Sequence, residues 1–210
     1  MKIRCLNTFM GTGIICVVLI LTAGCFQRTK TPYVVDRYSL DYPVPSMQGL
    51  THHGELVRIE RFFVAHSFDN MAMIFKPQAF RFDSYTGSRW NANPGDMVTD
   101  GLTRDLRTAA LFGGVFPYES DEPVRFVLEG AIEEFYESDE GSVSKAVLVV
   151  SVALLDRREK EVGKKVRFQK TYHYSGNIDT KSPEGLARGM STNMSAFSEQ
   201  FIRDLNSALK

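Results

Sequence analysis

Apolar and polar positions along the chain repeat with two different periods, and the change of period predicts where strands give way to helices. Tyr33, Val35, Tyr38, Leu40 and Tyr42 alternate well enough for a first strand, which Pro43 and Pro45 end. Leu56 to Ala65, rich in Val, Ile and Phe, predicts a second strand. Met71 to Phe75 and Phe80 to Tyr85 predict two short strands broken by Lys76-Pro77, because a proline cannot donate to a ladder. Val124, Phe126, Leu128, Gly130 and Ile132 then alternate with Arg125, Val127, Glu129 and Glu133. The phase shifts near Glu133-Glu134, where Phe135 takes over the apolar register, which predicts a bulge or a strand end projecting into water. Ser138 to Ser142, containing Asp139 and Gly141, predicts a hairpin turn. Lys145 to Leu155 is apolar on both faces and predicts a central, covered strand. Val166 to Tyr174 alternates cleanly, with one side toward a core and the other toward water.

The helical period appears twice. Asn93-Pro94-Gly95-Asp96 is a helix start, with an Asn cap, a proline whose missing N–H is harmless in the first turn, and an acid facing the positive end of the dipole. Val98, Leu102, Leu106 and Ala109 follow on one face, and Gly113-Gly114 offers a stop. Ser182-Pro183-Glu184 starts the last helix by the same logic. Its apolar stripe runs through Leu186, Met190, Met194, Phe197, Phe201, Leu205 and Ala208, a face that packs on a sheet. The sum of these elements is an α+β fold, several strands with two amphipathic helices.

Ahead of the first strand the pattern has a different meaning. Lys2 and Arg4 precede an unbroken apolar run of eight residues, Ile14 to Leu21, which is shorter than the roughly 20 residues a membrane-spanning helix needs. Leu21-Thr22-Ala23-Gly24-Cys25 closes it as a bacterial lipoprotein signal, with small residues before a cysteine whose thiol receives the lipid. Residues 1–24 are then a leader cleaved after Gly24, Cys25 the lipid attachment site, 25–32 a polar tether, and 33–210 a single domain. An ordinary secretory leader or an uncleaved anchor is the alternative. Phe26 is not the aspartate that favours inner-membrane retention, so the expected location is the periplasmic face of the envelope, lipid-anchored in the outer membrane.

Composition narrows the chemistry. The chain has 25 basic and 25 acidic residues, and loss of Lys2 and Arg4 leaves 23 against 25, a charge of −2 with no basic stripe to suggest nucleic acid. Cys5 and Cys16 leave with the leader, so disulfides and cysteine-ligated metals are excluded from the mature domain. His52 and His53 read as solvated loop residues, and no HExxH or Cys/His set accompanies them. There is no G-x-S-x-G elbow and no phosphate-cradling glycine loop. Glu133, Glu134, Glu137, Asp139 and Glu140 read as the solvated face of a hairpin, with a contact to a partner as the other use. No cofactor, no metal and no enzymatic activity are expected.

One stretch stands out. From Met71 to Trp90 it concentrates aromatics, methionines and arginines, including the chain's single tryptophan, around short strands. Phe75, Phe80, Arg81, Tyr85 and Trp90 are the candidate partner interface, since Trp, Tyr and Arg dominate interface centres. The competing expectation is that the same residues fold back onto the core.

Met73-Ile-Phe-Lys, Phe80-Arg-Phe-Asp, Arg89-Trp90, Pro94, Asp105-Leu106, Phe126-Val-Leu-Glu-Gly, Phe168-Gln-Lys-Thr-Tyr and Gly185-Leu-Ala-Arg-Gly-Met occur in an order that resembles the ABC-type transport auxiliary lipoproteins, the group that includes the PqiC-like proteins. The likeness runs from about Tyr33 to Leu209. It implies a fold like the TolB amino-terminal domain, a mixed, mainly antiparallel sheet with two helices on one face. It also implies a non-enzymatic subunit that works with an MCE protein and an ABC permease and ATPase in intermembrane lipid transport, and it admits a homo-oligomer. A lipid-binding periplasmic carrier and a lipoprotein scaffold unrelated to lipid transport are the other functions the sequence leaves open.

Overall fold

The structure is a computed structural model that describes residues 34–139 and 143–210. The leader, Cys25 and the tether lie outside the described residues, as do positions 140–142 of the expected hairpin turn. In chain order the elements are β1 (Asp36–Tyr38), β2 (His53–Ile59), β3 (Phe63–Val64), β4 (Ala72–Gln78), β5 (Arg81–Trp90), α1 (Pro94–Ala109), β6 (Phe112–Pro117), β7 (Phe126–Ser138), β8 (Lys145–Asp156), α2 (Val162–Lys165), β9 (Val166–Asn177) and α3 (Pro183–Ala208). The fold class is α+β, as expected. Among the described residues no helix is long and apolar enough to cross a membrane.

The thirteen-residue β7 organises the sheet. Along one edge it holds β8 antiparallel over its full length, and β9 follows antiparallel on β8. Along its other edge three short strands lie end to end, all parallel to it: β2 on Phe126–Leu128, β3 on Ala131–Ile132 and β4 on Glu137–Ser138. β6 adds parallel to β2, β5 antiparallel to β4, and β1 parallel to β5. The long ladders are therefore antiparallel and the short ones mostly parallel. The expected phase change in β7 is a bulge: Ile132 opposes Val150 and Glu134 opposes Val149, which leaves Glu133 as the extra residue.

Cross-strand neighbours Ile132, Val150 and Tyr172 share one face of the sheet, and the Tyr172 ring meets Phe197 and Phe201 of α3. On α1, Val98, Leu102 and Leu106 are buried, and all of these side chains belong to one core. Between the two helices sits a buried polar knot. Asp105 of α1 accepts from Tyr42 Oη at 2.8 Å and from Ser198 Oγ of α3 at 2.6 Å, and Arg104 pairs with its second oxygen. Every hydroxyl in this knot has an acceptor, so a carboxylate with no exposed side chain is tolerated there.

Several boundaries differ from the sequence expectation for physical reasons. The strand expected over Leu56 to Ala65 is two strands, because Phe62 turns inward onto Gly130, where an added Cβ would lie 2.2 Å from the Phe62 ring. Only a residue without a side chain permits that approach. Pro77 lies inside β4, at the irregularity between the pairs Phe75–Asp83 and Gln78–Arg81, where the ladder needs no donor. Helix α1 starts as expected, with Asn93 accepting from the Gly95 N–H at 2.9 Å. It stops at Ala110, which takes the left-handed conformation, not at Gly113-Gly114. Those two glycines belong to β6, a strand the sequence pattern did not announce, and a Cβ on Gly113 would meet Gly54 O at 2.6 Å. The first strand is limited to Asp36–Tyr38, and Tyr42 has left it to cover Asp105.

Candidate functional site

The register places one end of the sheet in view. β4 and β7 run parallel with Lys76 opposite Ser138, so the turn after β4 and the end of β7 lie together. The antiparallel ladders bring Lys145 and Asn177 to the same end. The backbone then leads through Ile178 to the cap of α3 at Ser182. The residues singled out in Met71 to Trp90 divide between this end and the core. Phe80 and Arg81 are exposed at the tip, whereas Phe75 and Tyr85 are half-buried. Trp90 is 1% exposed and packs edge-on against Phe135 with ring centroids 5.3 Å apart. Trp90 is thus a core residue and leaves the candidate surface: the register break between the Ile74–Ser84 and Ala72–Arg89 pairs leaves three extra residues in β5 and reverses the alternation, so Phe82 faces out and Trp90 in. Sequence reasoning passed over Phe82, which forms an aromatic cluster with Phe68 and Tyr136 and remains 48% exposed. Its alternation with Arg81 and Asp83 was the available signal.

Beneath the tip lies a titratable cluster that the sequence presented as a solvated acidic turn. Glu137 is 0% exposed. Tyr85 Oη donates to its Oε2 at 2.8 Å, and its Oε1 has no donor. Burial pushes the Glu137 carboxyl up from the usual 4.5 to about 7, the Tyr85 hydrogen bond opposes this, and the Asp139 carboxylate adds to it. Burial also acts to raise Asp139, but hydrogen bonds from Lys181 and from Ser144, at 2.5 and 2.6 Å, hold it below the usual range. The Lys181 ammonium also lies 5.9 Å from the Phe75 ring centroid, close enough for a cation–π contact. Below neutral pH Glu137 is therefore mostly protonated, beside an Asp139 that stays ionised.

Among the described residues no group of three or more His, Cys, Asp or Glu side chains could hold a metal. His52 is not free: its Nδ1 lies 2.8 Å from Ala110 O, so that nitrogen carries the proton and donates. His53 opens β2 opposite Phe112. A cleft of about 660 Å³ between α1 and the loop after β6 is lined by Asp96, Asp100, Arg104, Arg107 and Glu119 among others. Pro117 and Tyr118 add apolar surface beside these charges.

The sequence matches the family model of the ABC-type transport auxiliary lipoprotein component over residues 38–201. Among solved structures, the protein XCC0632 of Xanthomonas campestris, from the family DUF330, is 12% identical and superimposes with a TM-score of 0.74 over 83% of this chain and 96% of that one. A second, described as an uncharacterized protein, is 10% identical with a TM-score of 0.62 over 82% of this chain and 99% of the other. At these identities the likeness establishes the fold. No curated protein matches the sequence.

Proposed function

We propose, because the chain belongs to the ABC-type transport auxiliary lipoprotein family, that it is a membrane-anchored, non-enzymatic docking subunit of an ABC-type transport system. The family match over residues 38–201 is the observation that carries this reading. The Leu21 to Cys25 motif supplies the anchor: cleavage after Gly24 and acylation of Cys25 hold the domain on the periplasmic face of the envelope, at the outer membrane. Each buried CH₂ of an acyl chain contributes about 0.8 kcal/mol, so a cysteine with several long chains stays on a bilayer. The partners are an MCE protein with its permease and ATPase, and the cargo is phospholipid. The core side chains of both helices and the sheet pack into one buried cluster, which supports a docking role over a carrier role.

Radiolabelled palmitate tests the anchor. The chain incorporates it, whereas Cys25→Ser takes up none and moves to the soluble fraction. An unlabelled wild-type chain would overturn the reading. Native mass spectrometry after gentle extraction tests the role. A complex with an MCE protein and no internal lipid is expected, and phospholipid retained by the isolated chain would assign it as a carrier instead.

A further inference from the structure

We infer that the end of the domain carrying the β4–β5 turn rests on the lipid bilayer, with the Phe80 side chain entering it. The inference builds on the acylation of Cys25 proposed above. Three observations converge on that end.

The first is chemical. Phe80 is 103% exposed, and Phe82 and Val143 are 48% and 45% exposed beside the β4–β5 and β7–β8 turns. Among the described residues the charges at that end include Lys76, Arg81, Lys145, Lys181 and Arg188 together with Asp83, Asp139, Asp179 and Glu184. Arg81 pairs with Asp83, Lys181 with Asp139 and Arg188 with Glu184. Lys145 is exposed at the start of β8. An apolar tip ringed by charges of both signs suits the boundary between acyl chains and headgroups, where Lys145 and the other long cationic side chains can reach the phosphates.

The second is conformational. Phe80 adopts φ +64°, in the region that glycine or asparagine occupies with less strain. The two-residue turn between Gln78 and Arg81 imposes that conformation, yet the position carries a large ring in water that no contact within the fold covers. A bilayer accounts for the choice of that side chain.

The third is the path of the chain. β1 is parallel to β5 with Asp36 opposite Ser88, so the backbone reaches Asp36 from the direction of Gly87 and the β5 start, where the tip lies. The seven residues from Arg81 to Ser88 span about 24 Å of strand. The eleven residues from Cys25 to Asp36 reach at most about 36–40 Å. An acyl chain on Cys25 thus permits the tip to meet the membrane plane.

The test uses the full chain acylated at Cys25, whose mature form has no other thiol. Phe80→Cys and, at the opposite end of the sheet in α2, Gly163→Cys are each labelled with an environment-sensitive fluorophore. Both are reconstituted in vesicles of phosphatidylethanolamine and phosphatidylglycerol that carry nitroxide on the acyl chains. The label at position 80 shifts to the blue and is quenched, and the label at 163 does neither. Identical, unquenched behaviour at both sites, with palmitate incorporated, overturns the inference and leaves the anchor intact. Protection of position 80 only when an MCE protein is added also overturns it and makes the tip a protein contact. Absence of palmitate fails the anchor itself. Phe80→Gly keeps or raises the thermal midpoint, which separates the tip from the fold, and a fall of several degrees would make Phe80 structural and sink the proposal.

Discussion

Trp90→Ala is expected to destabilise the domain by about 3–5 kcal/mol, the range for removing a large aromatic side chain from a packed core. Trp90 closes β5, and its backbone N–H donates to Met71 O at 2.8 Å, which ties the far end of the β4–β5 pair. Its ring packs on Phe135 of β7, and its backbone pairs with Tyr38 of β1. Truncation opens a cavity between the edge strands and the central one, a place where the sheet is held by short parallel ladders and collapses poorly onto the void. Urea denaturation followed by far-ultraviolet circular dichroism measures the loss, because the substitution removes the only tryptophan. Trp90→Phe should recover a large part of it. A loss below about 1 kcal/mol would contradict the burial and return Trp90 to the surface. The same experiment distinguishes the two roles that the aromatic stretch combines, since changes at Phe80 leave the fold intact.

Most of the architecture could be inferred from the pattern because each long element combines a period with a stop signal. α3 has a cap, a proline and an apolar stripe, and all but Ala208 of that stripe is buried. The β7 bulge showed as a change of phase. What did not show were features set by distant contacts. β6 reads as a helix stop because glycines at Gly113 and Gly114 end helices more often than they permit a strand to approach Gly54. The inward turn of Phe62 depends on Gly130, nearly 70 positions later, and the parallel pairing of β2, β3 and β4 on β7 leaves no local mark. The site was legible only in part. Exposed aromatics could be proposed from composition, but Phe82 and Trp90 share a parity, and only the register break in β5 between Ser84 and Arg89 sends Phe82 out and Trp90 in. Glu137 looked like a surface acid in an acidic run, and only the partners Tyr85 and Lys181, supplied by other elements, reveal a buried one.

That buried acid gives the domain a definite pH response. An unfolded glutamate titrates near 4.5, whereas Glu137 in the fold titrates at about 7. Between those values the native state binds the extra proton, so stability falls as pH rises from about 4.5 to 7 and levels off above it. A difference of that size corresponds to roughly 3 kcal/mol. Asp139 acts in the opposite sense, because its carboxyl is held below the usual range and its contribution is lost as pH falls through acid values. The two together place the stability maximum of this cluster near the ordinary titration range of carboxylates. Glu137→Gln isolates the first effect. The amide oxygen still accepts from Tyr85 Oη, and the amide N–H replaces the carboxyl proton beside Asp139, so no partner is orphaned. At pH 8 the variant is expected to be more stable than the wild type by about 2–3 kcal/mol, with the slope between pH 5 and 7 removed. Urea midpoints at pH 5, 6, 7 and 8 measure both. A wild-type stability that stays flat or climbs across that interval would show that Glu137 is ionised in the fold, and the pair would then depend on Lys181 alone to hold two charges.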